Sequence, residues 1–350
     1  MTRAVLLVAA IAACGGDAQQ PIGSTAWAVR FDRPLSALAV IGPSGHVAAY
    51  NDQRAALVAS DGFSILWAAD FPNGTQDASL AVDASGAAYL AKPIQDAQMV
   101  VLSKRAPDGS EVWSQTFTVT PDGFALVHAV MVEAADTVLV LLNNRGAVDF
   151  GAGPVGEPSE TTRGTWGRFD RDGALVASGV IDFEMRAGRA ALWPDRDGWV
   201  VPALRLEREQ LVAFDGEGQE VWSVDGPSIS TPFCLHEDGE LSVVVGQDVV
   251  RLDAEQHQRW RVEASLRDCT PLLGGSLIGA GADSGPECLQ QIDSSGVISA
   301  SECFDSEIAL ARGLSSATYA FQLSTYDEVD LHDLHIDQAG DYIVSRQAPQ

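Results

Sequence analysis

A short unit recurs along this chain. It is an apolar run, a turn containing Asp and Gly, and a second strand that carries tryptophan. It is spelled LVASDGFSILWAADF at 57–71, VLSKRAPDGSEVWSQTF at 101–117, LVAFDGEGQEVWSVDG at 211–226 and VVRLDAEQHQRWRVE at 249–263. Copies without the tryptophan are WGRFDRDGALVASGV (166–180) and LQQIDSSGVISASECF (289–304), and a lone final strand, TAWAVRFD, stands at 25–32. The tryptophans or their stand-ins fall near 27, 67, 113, 176, 222, 260 and 298, at spacings of about 40 with one of about 60. A second unit lies between these, an apolar strand, a tight turn and another apolar strand, as in SLAVDASGAAYLAK (79–92) and FCLHEDGELSVVVG (233–246). Short apolar runs between Gly-containing turns are hairpin signals. Together the two units give four short strands per period, which predicts an all-β chain folded as a single β-propeller.

About seven four-stranded blades are expected over residues 25–346, with 347–350 as a tail. The lone strand at 25–32 and an inner strand pair at 333–345 would pair to close the ring, leaving only short, protected sheet edges. Residues 306–331 fit the period poorly and read as an extra strand of the closing blade or as an insertion. Trp67, Trp113, Trp222 and Trp260 are expected to wedge between neighbouring blades, where a large apolar side chain packs best.

Two resemblances rest on these residues. FDGEGQEVW and SDGFSILW resemble the PQQ-type propeller repeat, in which a strand reads into Asp, a Gly turn and then Trp. The stretch GAVDFGAGPVGEPSETTRGTWGRFDRDGALVASGV is similar to propeller repeats of secreted bacterial proteins. Both imply a fold. Neither implies an activity, because propellers host enzymes, scaffolds and receptors alike.

The N-terminus adds an address. Arg3 precedes an apolar run from Ala4 to Ala13. A membrane-spanning helix needs about 20 such residues, so this run fits the core of a secretory signal instead. Ile11-Ala12-Ala13-Cys14 resembles the bacterial lipobox, which implies cleavage after residue 13 and a lipidated Cys14. Gly15 follows where an aspartate is associated with inner-membrane retention, so the resemblance implies the outer membrane. Residues 14–24 then form a flexible tether. An ordinary signal peptide cut near Ala13, leaving Cys14 free, is the alternative.

Setting Cys14 aside leaves four cysteines, which allow three pairings. A hairpin centred on Ser295-Gly296 places Cys288 opposite Cys303, within disulfide reach. Cys234 and Cys269 occupy similar places on the first strands of consecutive blades and are expected to join them. Four unpaired buried cysteines are the alternative.

No catalytic or metal constellation is expected. His332 and His335 lie three apart, but in a strand such positions face opposite ways. Asp170–Gly173 and Asp195–Gly198 both read Asp-Arg-Asp-Gly, and no acidic ligand follows at calcium-loop spacing, so both read as hairpin turns. No cofactor is expected. With 22 basic and 48 acidic residues the net charge is −26, which repels phosphate backbones and excludes nucleic acid as a natural partner.

The expected function is a non-enzymatic, monomeric, lipid-anchored propeller that binds or scaffolds an unknown protein or glycan outside the cytoplasm. It would meet the membrane through its lipid alone. Contact residues are expected on the longest loops, 143–164 and 306–331. Two alternatives stand beside it. One is a propeller enzyme acting on a small molecule or glycan in the central channel; the mostly Ala, Val and Leu inner strands argue against it. The other is an accessory lipoprotein of outer-membrane barrel assembly, which shares anchor and repeat type.

Overall fold

The structure is a computed structural model. It describes residues 24–347 apart from 32–37, 42–45, 51–53, 59–64, 71–77, 95–97, 121, 134–136, 158–160, 187–189, 194–196, 206, 226–231, 282–285, 311–317, 326–328, 331–334, 337 and 339. The signal segment, Cys14 and the tether lie outside the described residues.

Among the described residues the elements are β-strands and one short 3-10 turn, Leu273–Gly275. Antiparallel sheets follow one another along the chain. Sheet I holds Leu38–Ile41, Val47–Tyr50, Arg54–Val58 and Ile65–Asp70. Sheet II holds Ser79–Val82, Ala88–Ile94, Met99–Arg105 and Glu111–Val119, extended by Val148–Asp149 and Pro154–Val155. Sheet III holds Phe124–Val132, Val138–Arg145, Arg163–Phe169 and Leu175–Ile181. In sheet IV the first strand is split into Glu184–Met185 and Ala191–Leu192, both paired with Gly198–Arg205; Arg208–Asp215 and Glu220–Asp225 follow. Sheet V holds Phe233–Leu235, Leu241–Val245, Asp248–Leu252 and Gln258–Glu263. Sheet VI holds Asp268–Pro271, Leu277–Gly281, Glu287–Ile292 and Ile298–Phe304. The closing sheet VII takes Glu307–Leu310, Thr318–Thr325 and Gly340–Gln347 from the C-terminal end and Ser24–Phe31 from the N-terminal end.

This is an all-β propeller. The first strands of most consecutive sheets lie side by side, sheet III meets sheet IV through Arg163–Phe169 against Glu184–Met185, and Leu38–Ile41 meets Thr318–Thr325 where the ring returns to its start. The expectation of about seven four-stranded blades needs correction. Consecutive repeats supply six sheets, and the remaining one is a composite of both chain ends. Five sheets hold four strands; one holds six and one holds five. The irregularities have local causes. An extra hairpin docks on the outer strand of sheet II, pairing Val148 with Val119. The first strand of sheet IV is in two pieces, Glu184–Met185 and Ala191–Leu192, which pair with opposite ends of Gly198–Arg205.

The closing sheet corrects a second expectation. Its first two strands come from 307–310 and 318–325, within the stretch that fitted the period poorly. Residues 333–345 do not form the inner pair. Gly340–Gln347 is instead the third strand, between Thr318–Thr325 and Ser24–Phe31, and His335–Ile336 pairs with Val329–Asp330 in a separate two-stranded ribbon.

Burial follows strand position. Second strands such as Gly198–Arg205 and Val138–Arg145 are buried on both faces, because a sheet packs on either side of them. Fourth strands such as Glu220–Asp225 and Gln258–Glu263 alternate between exposed and half-buried, so they form the outer rim.

Antiparallel order also sorts the connections. The first-to-second and third-to-fourth turns share one face of the ring, here named the turn face. The remaining connections share the opposite, loop face. Asp-x-x-Gly turns build the turn face. Asp83, Asp170, Asp215 and Asp293 each accept hydrogen bonds from the backbone N–H groups two and four residues on. The glycine that follows has φ between 76° and 85° (Gly86, Gly173, Gly218, Gly296), a conformation that costs a side-chain-bearing residue. Sheet V departs from this: its turn places Gln256 at φ 68°.

Candidate functional site

The sequence-selected residues gather at the seams between sheets. At four seams a tryptophan lies on the third-to-fourth turn glycine of the next sheet, and at the IV–V seam Trp193 lies instead on Gly239 of the first-to-second turn. A Cβ on Gly109 would lie 2.7 Å from the Cβ of Trp67, and one on Gly173 would lie 2.8 Å from the Trp113 ring. Trp260 meets Gly296 in the same way, at 2.7 Å. Trp166, a third-strand residue, takes this place against Gly218. The glycine is required there by close approach as well as by φ. Two of the indoles also donate across the seam, Trp113 Nε1 to the Arg171 carbonyl (2.9 Å) and Trp260 Nε1 to the Ser294 carbonyl (3.0 Å). Trp222 differs. The next turn has no glycine, and Trp222 packs edge-on against Trp193 at 5.8 Å.

A second, polar device crosses the same seams. Arg168 on the third strand of sheet III forms a fork with Glu133 of the first hairpin turn (2.6 and 2.7 Å) and donates to the Gly216 carbonyl of sheet IV. Arg251 repeats this in sheet V. Its Nε donates to Glu240 (2.8 Å), and Nη1 donates to the Gly275 carbonyl of sheet VI (2.9 Å). Arg346, at the corresponding place in sheet VII, is fully buried and forks onto Glu302 of sheet VI, with Nη2 to Oε1 at 2.9 Å. Its Nε also donates to the Thr25 hydroxyl at 3.3 Å, so it ties both chain ends to the preceding sheet. Each guanidinium is paired with a carboxylate, and Arg168 and Arg251 add a backbone carbonyl of the next sheet; a guanidinium left unpaired there would cost stability.

The V–VI seam adds a covalent link. The structure joins Cys234 of sheet V to Cys269 of sheet VI, with Cα atoms 6.1 Å apart. Cys288 faces Cys303 in register and is joined to it, with Cα atoms 3.9 Å apart. Two residues beyond Cys234, His236 is fully buried and its Nε2 lies 2.9 Å from the Ser242 hydroxyl. Its Nδ1 is buried without a partner. Burial first, and the nearby Arg251 cation second, hold its pKa well below the ordinary histidine value.

Asp170–Gly173 is a hairpin turn closed by Asp170. Residues 194–196 of the second Asp-Arg-Asp-Gly lie outside the described residues, and Gly198 opens a strand. His335 is exposed on its ribbon, and His332 lies outside the described residues. Among the described residues no group of three or more His, Cys, Asp or Glu converges on a metal position. Within the expected contact loop 143–164, Gly146–Phe150 turns inward, with Phe150 5.0 Å from Phe117 and 6.1 Å from Phe169, whereas most described residues from Gly151 to Arg163 are exposed. Asn143 exchanges two hydrogen bonds with the Met185 backbone of sheet IV. The described part of 306–331 supplies strands. The Arg–Glu forks, Phe150 and His236 were not singled out by sequence pattern, because each acts across a seam that local periodicity does not report.

No protein-family model matches the chain, and no curated protein matches it. Solved structures do. The chain is similar to the β-propeller domain of Myceliophteria thermophila Cps50 (Swd1), with a TM-score of 0.57 and 10% identity over 93% of this chain and 99% of that one. It is similar to the Neurospora crassa Pan2 WD40 domain, with a TM-score of 0.58 and 8% identity over 93% and 96%. By fold, the chain is a β-propeller. At such identities the likeness carries the fold alone.

Proposed function

We propose that this chain is a non-enzymatic, lipid-anchored propeller that serves as a binding or scaffolding body outside the cytoplasm, held at the outer membrane through Cys14. The observation that carries the reading is the use of the cysteines. Four of the five are consumed in two disulfides, one within sheet VI and one between sheets V and VI. Disulfides persist in oxidising compartments. The fifth, Cys14, follows Ile11-Ala12-Ala13 and precedes the propeller. The polar groups also favour a binding body over a catalyst. Arg168, Arg251 and Arg346 are spent on seams, and the turn aspartates are spent on their own backbones. The PQQ-type repeat resemblance fits the same reading, and the partner belongs to the class of proteins or glycans.

The test is incorporation of labelled palmitate in a bacterial host, with the protein followed into the membrane fraction. The expected outcome is a labelled, membrane-associated protein, and Cys14→Ala loses both label and membrane association. Retained label in Cys14→Ala would overturn the assigned anchor.

A further inference from the structure

The strand order fixes where an anchored chain leaves the ring. Ser24 pairs with Gln347, the last described residue of the third strand of sheet VII. Third strands run toward the turn face, so Ser24 enters on that face. It does so on the outermost strand, at the rim. Residues 14–23 provide ten residues of chain, about 17 Å as a flexible coil. An eight-residue strand such as Ser24–Phe31 is about 27 Å tall. A tether that leaves the turn face is on average too short to bring the loop face to a membrane.

The turn face beside that exit is unlike the rest of it. Sheet VI neighbours sheet VII, and its two turns touch, since a Cβ on Gly275 would lie 3.4 Å from the Ser294 Cβ. Three large apolar side chains stand out of these turns: Leu273 (50% exposed), Val297 (57%) and Ile298 (36%). Gly274, Ser294 and Ser295 beside them are uncharged, and of the nearby acids Glu237 is neutralised in part by the Gly274 N–H it accepts at 3.1 Å, while Asp238 faces Arg251. The fourth strands of sheets II to IV each expose a single valine near this end, Val112 after Glu111, Val176 after Leu175 and Val221 after Glu220, rather than a cluster on two turns. The exposed acids Asp108, Asp172, Glu217 and Glu255 lie in the turns of sheets II to V.

Resting on the Cys14 anchor, we infer that the turn-face corner of sheets VI and VII is the surface that meets the lipid bilayer. Leu273, Val297 and Ile298 dip into the interfacial region next to the tether exit. The acidic turns of sheets II to V tilt away from the bilayer, and the loop face turns outward. Scattered single apolar side chains need no explanation, but three on two touching turns of the sheet beside the exit do.

The experiment supplies the anchor chemically, so it does not depend on native lipidation. The processed chain, beginning at Cys14, is coupled through that thiol to a maleimide lipid in phosphatidylcholine vesicles. Hydrogen exchange is compared with the same chain uncoupled. The expected result is a several-fold slowing of exchange across 272–276 and 293–299, with none across 170–176, 215–221 or 148–155. Replacing Leu273, Val297 and Ile298 by Glu, all at exposed sites, should abolish the slowing while the protein stays coupled and folded. Slowing on the loop face, slowing spread evenly over all turns, or none anywhere would overturn the orientation. Absence of palmitate label on the unsubstituted chain, or label retained in Cys14→Ala, would overturn the native anchor instead, so the two failures are distinguishable.

Discussion

The II–III seam and the V–VI seam hold the same kind of joint by different means. Between sheets II and III, Phe117, Phe150 and Phe169 form an aromatic cluster, with Phe117 stacked on Phe169 at 5.1 Å and Tyr89 buried beside them. Between sheets V and VI the buried cluster is Cys234, Val244, Val249, Ala264, Leu266, Cys269, Leu277 and Ile292, with no fully buried aromatic ring. Both seams share the tryptophan-on-glycine contact, through Trp113 and Trp260. What differs is the core behind it. A Phe buries far more area than a Val or Cys, so the V–VI seam starts with a smaller apolar gain. Its disulfide and the Arg251 bridge make up the difference. Covalent and ionic stapling here stands in for aromatic volume.

Removing each seam's own device tests that contrast. Phe117→Ala takes a fully buried ring out of the aromatic cluster and should cost about 3–5 kcal/mol, the largest single effect. The urea midpoint measures it, and hydrogen exchange should rise in the 148–155 hairpin that Phe150 pins to the cluster. A loss below about 1 kcal/mol would mean that the seam does not depend on aromatic packing.

Removing the staple comes next. Cys234→Ala with Cys269→Ala opens a 35-residue separation, and Cys288→Ala with Cys303→Ala opens one of 15. Loop entropy assigns about 4 and about 3 kcal/mol to these crosslinks. The first pair should therefore lower the urea midpoint more than the second. It should also loosen a seam, whereas the second loosens only a hairpin that its backbone ladder already fixes. Equal effects would sever the link between staple and seam.

How much of this was legible follows from the range of each signal. The hairpins were readable because alternation and Asp-x-x-Gly turns are local, and the Cys288–Cys303 register followed from the centre of one such hairpin. The closing sheet was misread because its first two strands, Glu307–Leu310 and Thr318–Thr325, lack an Asp-Gly turn between them. Instead the Asp-Gln-Ala-Gly at 337–340 drew the inner pair to the wrong place. Phe150 sits alone in a Gly- and Pro-rich stretch, where no period marks an inward residue. Glu302 and Arg346 are 44 residues apart, and in a sequence with 48 acids neither stands out. Local periodicity reports strands. It does not report which polar residues meet across a seam, and in this ring those meetings build the polar site.

The smallest effect is a pH dependence confined to the stapled seam. His236 is fully buried, bonded to Ser242 through Nε2 and close to Arg251, which Glu240 and Asp238 face. Its folded pKa is depressed by burial and then by Arg251, while the unfolded chain takes up a proton near pH 6.5. Below that pH the unfolded state binds more protons than the folded one, so the His236 contribution is complete above about 6.5 and is lost as pH falls toward the folded value. Stability should fall by up to about 1.4 kcal/mol per pH unit in that range. The turn carboxylates Asp253 and Asp293, held low by backbone and serine hydrogen bonds, lose their contribution only at the more acidic pH where carboxylates protonate. Urea titrations between pH 7 and 5 thus isolate the imidazole. His236→Gln should flatten the slope in this window, and hydrogen exchange should place the acid-induced loosening at 236–242. A slope unchanged in His236→Gln, or loosening at the II–III seam instead, would show that the acid-sensitive group lies elsewhere.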